Sequence, residues 1–177
     1  MEQTERRTRL IEYLLEERKE TISIPSDEGS QKRLLRALLN VRPPMPVSAE
    51  FLSLQDEYLS ERKNERGIAD VKNLVYSDGI SLLKGDITTL NADVIVNAAN
   101  SAMLGCFHPL HNCIDNAIHT FAGVQVRLDC NNIMKGREAE NGEVIVTKAY
   151  NLPSRFIFHT VGPVVYGRVT EENESDL

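Results

Sequence analysis

The sequence predicts an α/β fold in which a sheet domain follows an N-terminal helical segment. Two observations lead to this class. Leucines recur at helical spacing three times before residue 70, and short β-branched runs alternate with a helical pattern after it. A length of 177 residues suits one modest domain with an attachment. We therefore assign residues 1–70 to the helical segment and residues 71–177 to the sheet domain.

The composition narrows the class of protein. Hydrophobic residues make up 41% of the chain, which argues against wholesale disorder. Twenty basic and 26 acidic residues give a net charge of -6, which disfavours binding to nucleic acid or to an anionic membrane. No apolar run approaches the ~20 residues needed to cross a bilayer, and the N-terminus lacks the apolar core of a secretory signal. We expect a cytoplasmic protein.

Three helices are predicted in the N-terminal segment, each with apolar side chains at spacings of one, three and four residues. The first carries the stripe Leu10–Leu15. The second begins at an N-cap at Ser26 and ends before Pro43, and the third runs from Ser48 to Gly67. Because these stripes have too much apolar surface to stay solvated, we predict that the segment packs on the sheet domain.

The second part of the chain is predicted to contain four strands and one helix. The strands cover residues 80–83, 93–99, 143–149 and 156–162, and the helix covers residues 113–128. Residues 93–99 form a nearly continuous apolar run, which is typical of a strand buried on both faces of a partly parallel sheet.

Polar and small residues follow that apolar strand. Ligands of open α/β sheets bind beyond the carboxyl ends of strands, where backbone donors are available. Asn97 and Asn100 supply uncharged amides there, and Gly105 lets the backbone approach a ligand. Turn formation is the alternative role for the two asparagines, because asparagine caps and turns readily.

A loop rich in cysteine and histidine comes next, at residues 105–113. Cys106, His111 and Cys113 offer two thiolates and one imidazole, a ligand set that suits zinc. Three protein ligands leave one position open, as in catalytic zinc sites. His108 is the other candidate for the imidazole. The alternative is a loop with buried thiols and solvated imidazoles, since an odd number of cysteines suits no closed disulfide framework.

Several motifs now resemble the macrodomain family. The usual glycine-rich loop of the family is replaced by residues 105–113. That replacement and the N-terminal helices resemble the zinc-containing microbial macrodomains, which remove ADP-ribose from modified proteins. The motifs that carry the resemblance lie in the family's order at residues 83–88, 93–101, 118–123, 150–153 and 158–163.

The resemblance implies a role for each matching position. Asp86 would accept a hydrogen bond from the adenine amino group, with Ile87 beside the ring. Asn100 would hold the distal ribose hydroxyls near the zinc, and Asp115 matches an acidic position close to that ribose. We therefore predict substrate contacts at Asp86, Ile87, Asn97, Asn100 and Gly105, and catalytic roles for Asn100 and Asp115. Stabilisation of the helix dipole is the alternative role for Asp115.

The resulting functional prediction is a zinc-dependent hydrolase that removes mono-ADP-ribose from protein side chains. Cleavage of this bond develops oxocarbenium character at the ribose, which a zinc-bound water and a nearby carboxylate would assist. Two alternatives stay open, namely a module that binds ADP-ribose without cleaving it and an inactive fragment.

The resemblance also generates a prediction about affinity. Members of the family continue beyond the motif at residues 158–163 with a second loop that cradles the diphosphate. This sequence stops at Leu177 after an acidic stretch, so we expect weak ADP-ribose binding, impaired turnover, and a domain-swapped oligomer or an unstable monomer. Calorimetric titration with ADP-ribose tests this expectation, and low-micromolar affinity from a monodisperse 19.9 kDa species contradicts it.

Overall fold

The computed structural model describes residues 1–175 as an α/β fold with a mixed sheet, flanking helices and an N-terminal helical segment, as predicted. None of the helices in these residues is long and apolar enough to span a membrane. The helices are α1 (Gln3–Arg18), α2 (Glu28–Val41), α3 (Ala49–Arg66), α4 (Ile114–Ala122), α5 (Val124–Met134) and α6 (Glu171–Ser175). The strands are β1 (Ala69–Asp70), β2 (Leu90–Asn91), β3 (Val94–Ala98), β4 (Val144–Lys148) and β5 (Phe156–Thr160).

The N-terminal helices begin and end close to the predicted residues. Ser48 caps α3 by accepting a hydrogen bond from the Phe51 amide at 3.1 Å, as predicted. The N-cap of α2 is Asp27 and not Ser26, because the Asp27 carboxylate accepts from the Ser30 amide at 2.8 Å. A charged acceptor also interacts favourably with the positive end of the helix.

The main sheet has the order β3-β5-β4. Strand β5 is parallel to β3 and antiparallel to β4. The prediction of a strand at residues 80–83 is wrong, because Ile80 forms only an isolated bridge with Ser77 across a tight turn. Instead, β1 and β2 form a separate parallel pair of two residues each, which the sequence did not reveal.

The prediction that residues 93–99 are buried on both faces is also wrong. Helices α4 and α5 cover one face of the sheet, where Ile95 and Ile157 enter the core. The other face carries Val96, Val146 and Phe158, which are paired across the three strands and are 55%, 48% and 37% exposed. The strand therefore alternates between core and surface.

The predicted helix at residues 113–128 is in fact two helices. The chain turns at Gly123, whose φ is +100°. A Cβ atom at this position would lie 2.6 Å from Nε2 of Gln55 in α3, so the turn requires glycine. Gln55 also accepts a hydrogen bond from the Val124 amide at 2.9 Å, which caps the start of α5.

The N-terminal helices have their own apolar core and dock on the sheet domain, as predicted. Leu10, Leu35 and Phe51 lie at the centre of this core, and Val124 of α5 extends it into the sheet domain. The division into domains at residue 70 stays a prediction. The polar contacts across the junction include Asn40 to Thr120 at 2.9 Å, Arg36 to Asn116 at 2.9 Å and Asn151 to Asp56 at 2.8 Å.

A single buried arginine of α5 joins the two parts of the chain. The guanidinium of Arg127 donates to the Leu104 carbonyl at 2.7 Å, to the Leu39 carbonyl at 3.1 Å and to the Arg42 carbonyl. The same group lies 4.4 Å from the ring centroid of Phe107. Burial lowers the pKa of Arg127 to about 10.

We predict that Arg127→Met lowers the free energy of unfolding by at least about 3 kcal/mol, because three carbonyls lose a charged donor. Urea denaturation of the full chain measures the change. Arg155→Met is the control, since Arg155 is exposed and its pair with Asp93 at 3.2 Å contributes less than about 1 kcal/mol. Equal losses of unfolding free energy in the two variants would contradict the role of Arg127 in joining the two parts of the chain.

Candidate functional site

The parallel pairing of β3 and β5 places Asn97 directly beside His159 in the interior. Nδ2 of Asn97 donates to Oδ1 of Asp115 at 2.8 Å and lies 3.1 Å from Nδ1 of His159. The Asn97 side chain is 0% exposed. The ligand contact that the sequence predicts for Asn97 does not fit this placement, since its amide orients Asp115 from within the core.

Asn100 lies at the surface just beyond the end of β3. Its Nδ2 donates to the Gly105 carbonyl at 3.1 Å and to Oδ2 of Asp115 at 3.3 Å, and its Oδ1 accepts from the Ala102 amide at 3.1 Å. An amide oxygen has two acceptor positions, so Oδ1 keeps one for a hydroxyl group. Asn100 is therefore exposed and also connected to Asp115.

Asp115 is a buried carboxylate in the first turn of α4, with 4% of its surface exposed. Burial raises its pKa, and the hydrogen bond from Asn97 and the charge of Arg127 oppose that shift. The raised pKa makes this carboxylate a stronger base than an exposed aspartate. Both of its oxygens are fixed by amides from the end of β3.

His119 faces the same carboxylate and was not among the site residues predicted from the sequence. Its Nε2 lies 3.5 Å from Oδ1 of Asp115, one helical turn away. Neither ring nitrogen has a hydrogen-bond partner among the described residues. Burial lowers the pKa of His119 well below its ordinary value, so the ring is neutral. The spacing of four residues between Asp115 and His119 is the signal that could have paired them.

Gly105 comes close to His119 and not to an open surface. Its φ is +81°, and a Cβ atom would lie 2.8 Å from Cγ of the His119 ring. The substrate contact predicted for Gly105 stays a prediction, and the close approach that the structure shows is to a side chain of α4. Substitution at Gly105 would push the loop away from Asp115.

The loop at residues 105–113, which we call the Cys/His loop, gathers the three predicted metal ligands. Sγ of Cys106 lies 3.5 Å from Nδ1 of His111, and these atoms and Sγ of Cys113 all lie within 4.8 Å of one another. His108 is not in this group, and its ring centroid is 5.8 Å from that of His111. Burial raises the pKa of Cys113, whose sulfur caps α4 by accepting from the Asn116 amide.

Helix α2 holds the Cys/His loop in place through long-range hydrogen bonds. Nη2 of Arg36 donates to the His111 carbonyl and to Oδ1 of Asn116, each at 2.9 Å. Asn40 accepts from the Leu110 amide at 3.0 Å, where Leu110 has a φ of +58°. These contacts could not be predicted from the sequence, because the partners are at least 70 residues apart.

The residues predicted to contact adenine lie in the short helical turn just before β2. Oδ1 of Asp86 accepts from the Thr88 amide at 2.9 Å, and Oδ2 pairs with Arg66 at the end of α3. Ile87 is half-buried against the sheet core. The guanidinium of Arg66 lies 3.6 Å from the centroid of Phe121, so this arginine connects α3, α4 and Asp86.

A second group of potential ligands, His119, Cys130 and His159, is fully buried. Both ring nitrogens of His159 are already occupied, Nδ1 by Asn97 at 3.1 Å and Nε2 by the Thr147 hydroxyl at 2.9 Å. Burial raises the pKa of Cys130 to about 12, which disfavours a thiolate. Cys130 is therefore a buried core thiol, and the group is a buried polar cluster close to Asp115.

Comparison with known proteins identifies related sequences. The family model described as Macro domain matches residues 96–177. A protein-ADP-ribose hydrolase of Treponema medium is 50% identical over 98% of this chain, and one of Staphylococcus aureus (strain MRSA252) is 45% identical over 94%. The chain spans 70% and 66% of the lengths of these two relatives.

Solved structures have a similar fold. The macrodomain of Trypanosoma brucei superposes with a TM-score of 0.51 at 27% identity, covering 82% of this chain and 61% of that one. A structure of that macrodomain in complex with ADP gives a TM-score of 0.50 at 28% identity, covering 75% and 60%. This likeness agrees with the mixed sheet and flanking helices described above.

The buried histidine of β5 predicts a pH dependence of stability. Burial lowers the pKa of His159 from 6.5 to about 4. The unfolded chain therefore binds a proton in this range that the folded chain does not, and stability falls as the pH falls from about 6.5 to 4. At pH 4 this difference in proton binding at His159 lowers the free energy of unfolding by ~3 kcal/mol.

Urea denaturation across this pH range tests the assignment with His159→Gln, a neutral residue with both a donor and an acceptor. We expect a shallower loss of stability in this variant than in the parent chain. Substitution of the exposed His108 by glutamine is the control and keeps the parent's pH dependence. Identical pH profiles for His159→Gln and the parent would refute the assignment.

Proposed function

The chain belongs to the macrodomain family, and on this basis we propose that it hydrolyses the bond between mono-ADP-ribose and a modified protein side chain. The support from relatives is that two of them, at 50% and 45% identity, are named protein-ADP-ribose hydrolases. A binding module that does not cleave its ligand is the competing function. The proposal therefore depends on chemical groups in this chain that binding alone does not need.

The observation that carries the proposal is the position of the Cys/His loop beside the Asn100–Asp115 pair. The Gly105 carbonyl accepts from Asn100, and Cys106 follows directly in the chain. Cys113 and Asp115 both lie at the start of α4. A carboxylate and three potential metal ligands therefore occur within one loop and one helical turn, next to the exposed amide of Asn100.

We propose that Cys106, His111 and Cys113 hold a zinc ion. Two thiolates and one imidazole are a common ligand set for zinc, and three protein ligands leave one position open. Ligand atoms of a bound zinc lie ~2.0–2.3 Å from the metal, so the 3.5 Å between Sγ of Cys106 and Nδ1 of His111 fits a shared ion. When bound, zinc would supply Lewis-acid chemistry at a ribose hydroxyl or at a water.

The residues of the chain itself bind and orient the substrate. The free acceptor position on Oδ1 of Asn100 would receive a hydroxyl of the distal ribose. Asp115 acts as a positioning residue, because its Oδ2 accepts from the Asn100 amide at 3.3 Å. Asp86 would accept the adenine amino group, and Arg66 keeps this carboxylate ionised and oriented.

The reaction is a hydrolysis that breaks the bond between the anomeric carbon of the ribose and the side-chain oxygen or nitrogen of the modified protein. The hydroxyl of a water molecule adds to the anomeric carbon, and its second proton goes to the leaving protein atom.

The three cysteines are free thiols, which suits a reducing compartment such as the cytoplasm proposed for this protein.

We predict about one zinc per chain, measured by elemental analysis of the purified protein. Cys106→Ser, Cys113→Ser and His111→Ala each lose most of the metal, because two ligands rarely retain zinc. His108→Ala is the matched control, since His108 lies in the same loop outside the ligand group, and it keeps its zinc. Loss of metal from His108→Ala with retention in His111→Ala contradicts the ligand assignment.

We also predict that the chain releases free ADP-ribose from a mono-ADP-ribosylated protein, detected by mass spectrometry. Asn100→Ala lowers kcat/KM by about 10- to 100-fold, because a hydrogen bond to the ribose and the orientation of Asp115 are both lost. Asn132→Ala, at an exposed position of α5, is the control. Tight binding of ADP-ribose with no release of it would assign the chain to the binding modules.

A further inference from the structure

A cleft of about 260 Å³ lies between α2, α3, α4 and the Cys/His loop, on the side of α4 away from the sheet. Apolar side chains form its floor, and basic side chains surround its mouth. The floor is formed by Leu35, Leu39, Tyr58, Leu59 and Phe121. The basic side chains are Lys32, Arg33, Arg36 and Arg62.

The cleft carries an excess of positive charge, although the whole chain has a net charge of -6. Lys32 pairs with Glu28 at 2.6 Å, and Arg62 pairs with Glu65. Among residues 1–175, Arg36 donates only to the neutral oxygens of His111 and Asn116, so no carboxylate of these residues neutralises its charge.

The side chain of Arg33 is exposed and forms no ion pair or hydrogen bond within residues 1–175. Its charge is therefore available to a ligand, as is that of Arg36. Four cations with two carboxylate partners leave two positive charges at the mouth of an apolar cleft. This combination favours a ligand that has both carboxylates and an apolar group.

The location of the cleft relates it to the substrate. Leu110 and Asn112, which precede and follow His111, line its wall, and Arg36 binds the His111 carbonyl. If the proposed function is right, the modified side chain lies near the Cys/His loop, because the distal ribose binds there. The polypeptide attached to that side chain must then leave the site beside the loop, where the cleft is located.

We propose that this cleft binds an acidic segment of the modified protein, with carboxylates at Arg33 and Arg36 and an apolar side chain on the floor. The identity of the partner as the modified protein rests on the proposed function. The acidic and apolar character of the bound segment rests on the residues that line the cleft. Nucleic acid fits the cleft poorly, because its recognition uses an extended basic groove with stacking surfaces, whereas this floor is mainly leucine.

Fluorescence anisotropy with labelled peptides tests the proposal on the full chain. The probes are an eight-residue peptide of alternating glutamate and leucine, a second with lysine for glutamate, and a third with serine for leucine. We expect the glutamate–leucine peptide to bind, the lysine peptide to bind at least about 10-fold more weakly, and the serine peptide at least about threefold more weakly.

Arg33→Glu is the variant of choice, because Arg33 is exposed and holds no other part of the structure. It should weaken binding of the glutamate–leucine peptide at least about fivefold. Lys148→Glu at the exposed end of β4 makes the same change in net charge away from the cleft, and its effect should stay below about twofold. Equal effects in the two variants, or equal binding of the glutamate and lysine peptides, would overturn the proposal.

Two further measurements separate this proposal from the others. Asn100→Ala should bind the peptide as the parent does, because Asn100 does not line the cleft. In the parent chain, absence of hydrolysis with retained peptide binding contradicts the proposed function alone. Conversely, hydrolysis of the modified protein without binding of the peptide contradicts only the proposed role of the cleft. A single-stranded oligothymidylate that binds as tightly as the acidic peptide, with the same loss in Arg33→Glu, would assign the cleft to nucleic acid and overturn the proposal.

Discussion

The buried guanidinium of Arg127 is the interaction on which the arrangement of the whole chain depends. A charge in this position has to be surrounded by acceptors, and the acceptors are three backbone carbonyls that belong to two separate segments. The end of α2 and the residue before Gly105 are thereby fixed to α5. The helical segment, the Cys/His loop and the sheet domain consequently share one rigid point, and the ring of Phe107 covers it.

The candidate site is built on this frame by the pairing of two strands. Since β3 and β5 are parallel and in register at Asn97 and His159, these two polar side chains meet beneath the surface, on the core face of the sheet, where Thr147 is a third buried polar residue. Their hydrogen bonds leave one amide hydrogen of Asn97 for Asp115. The orientation of the carboxylate, and through it of Asn100, is therefore set from the core outward, and the surface loop adds the metal ligands.

Local patterns predicted the parts of the molecule that depend on neighbouring residues. The leucine spacing located three helices, and the contiguous Cys/His loop predicted its own ligand group. Features that depend on distant partners escaped prediction. Gly123 breaks a helix because Gln55 lies against it, and Arg36 reaches the loop from another helix. The exposed face of β3 also escaped, since an apolar sequence does not tell which neighbours cover it.

The hydrogen bond from Arg36 to the His111 carbonyl makes the order of the loop and the docking of α2 thermodynamically linked. A ligand that tightens the loop must also raise the free energy of local opening of the helical segment. The size of this increase equals the free energy by which the docked helices favour binding of that ligand. Three helices without catalytic side chains thus contribute to affinity at a site that they do not line. Their removal would loosen the loop even if the sheet domain stayed folded.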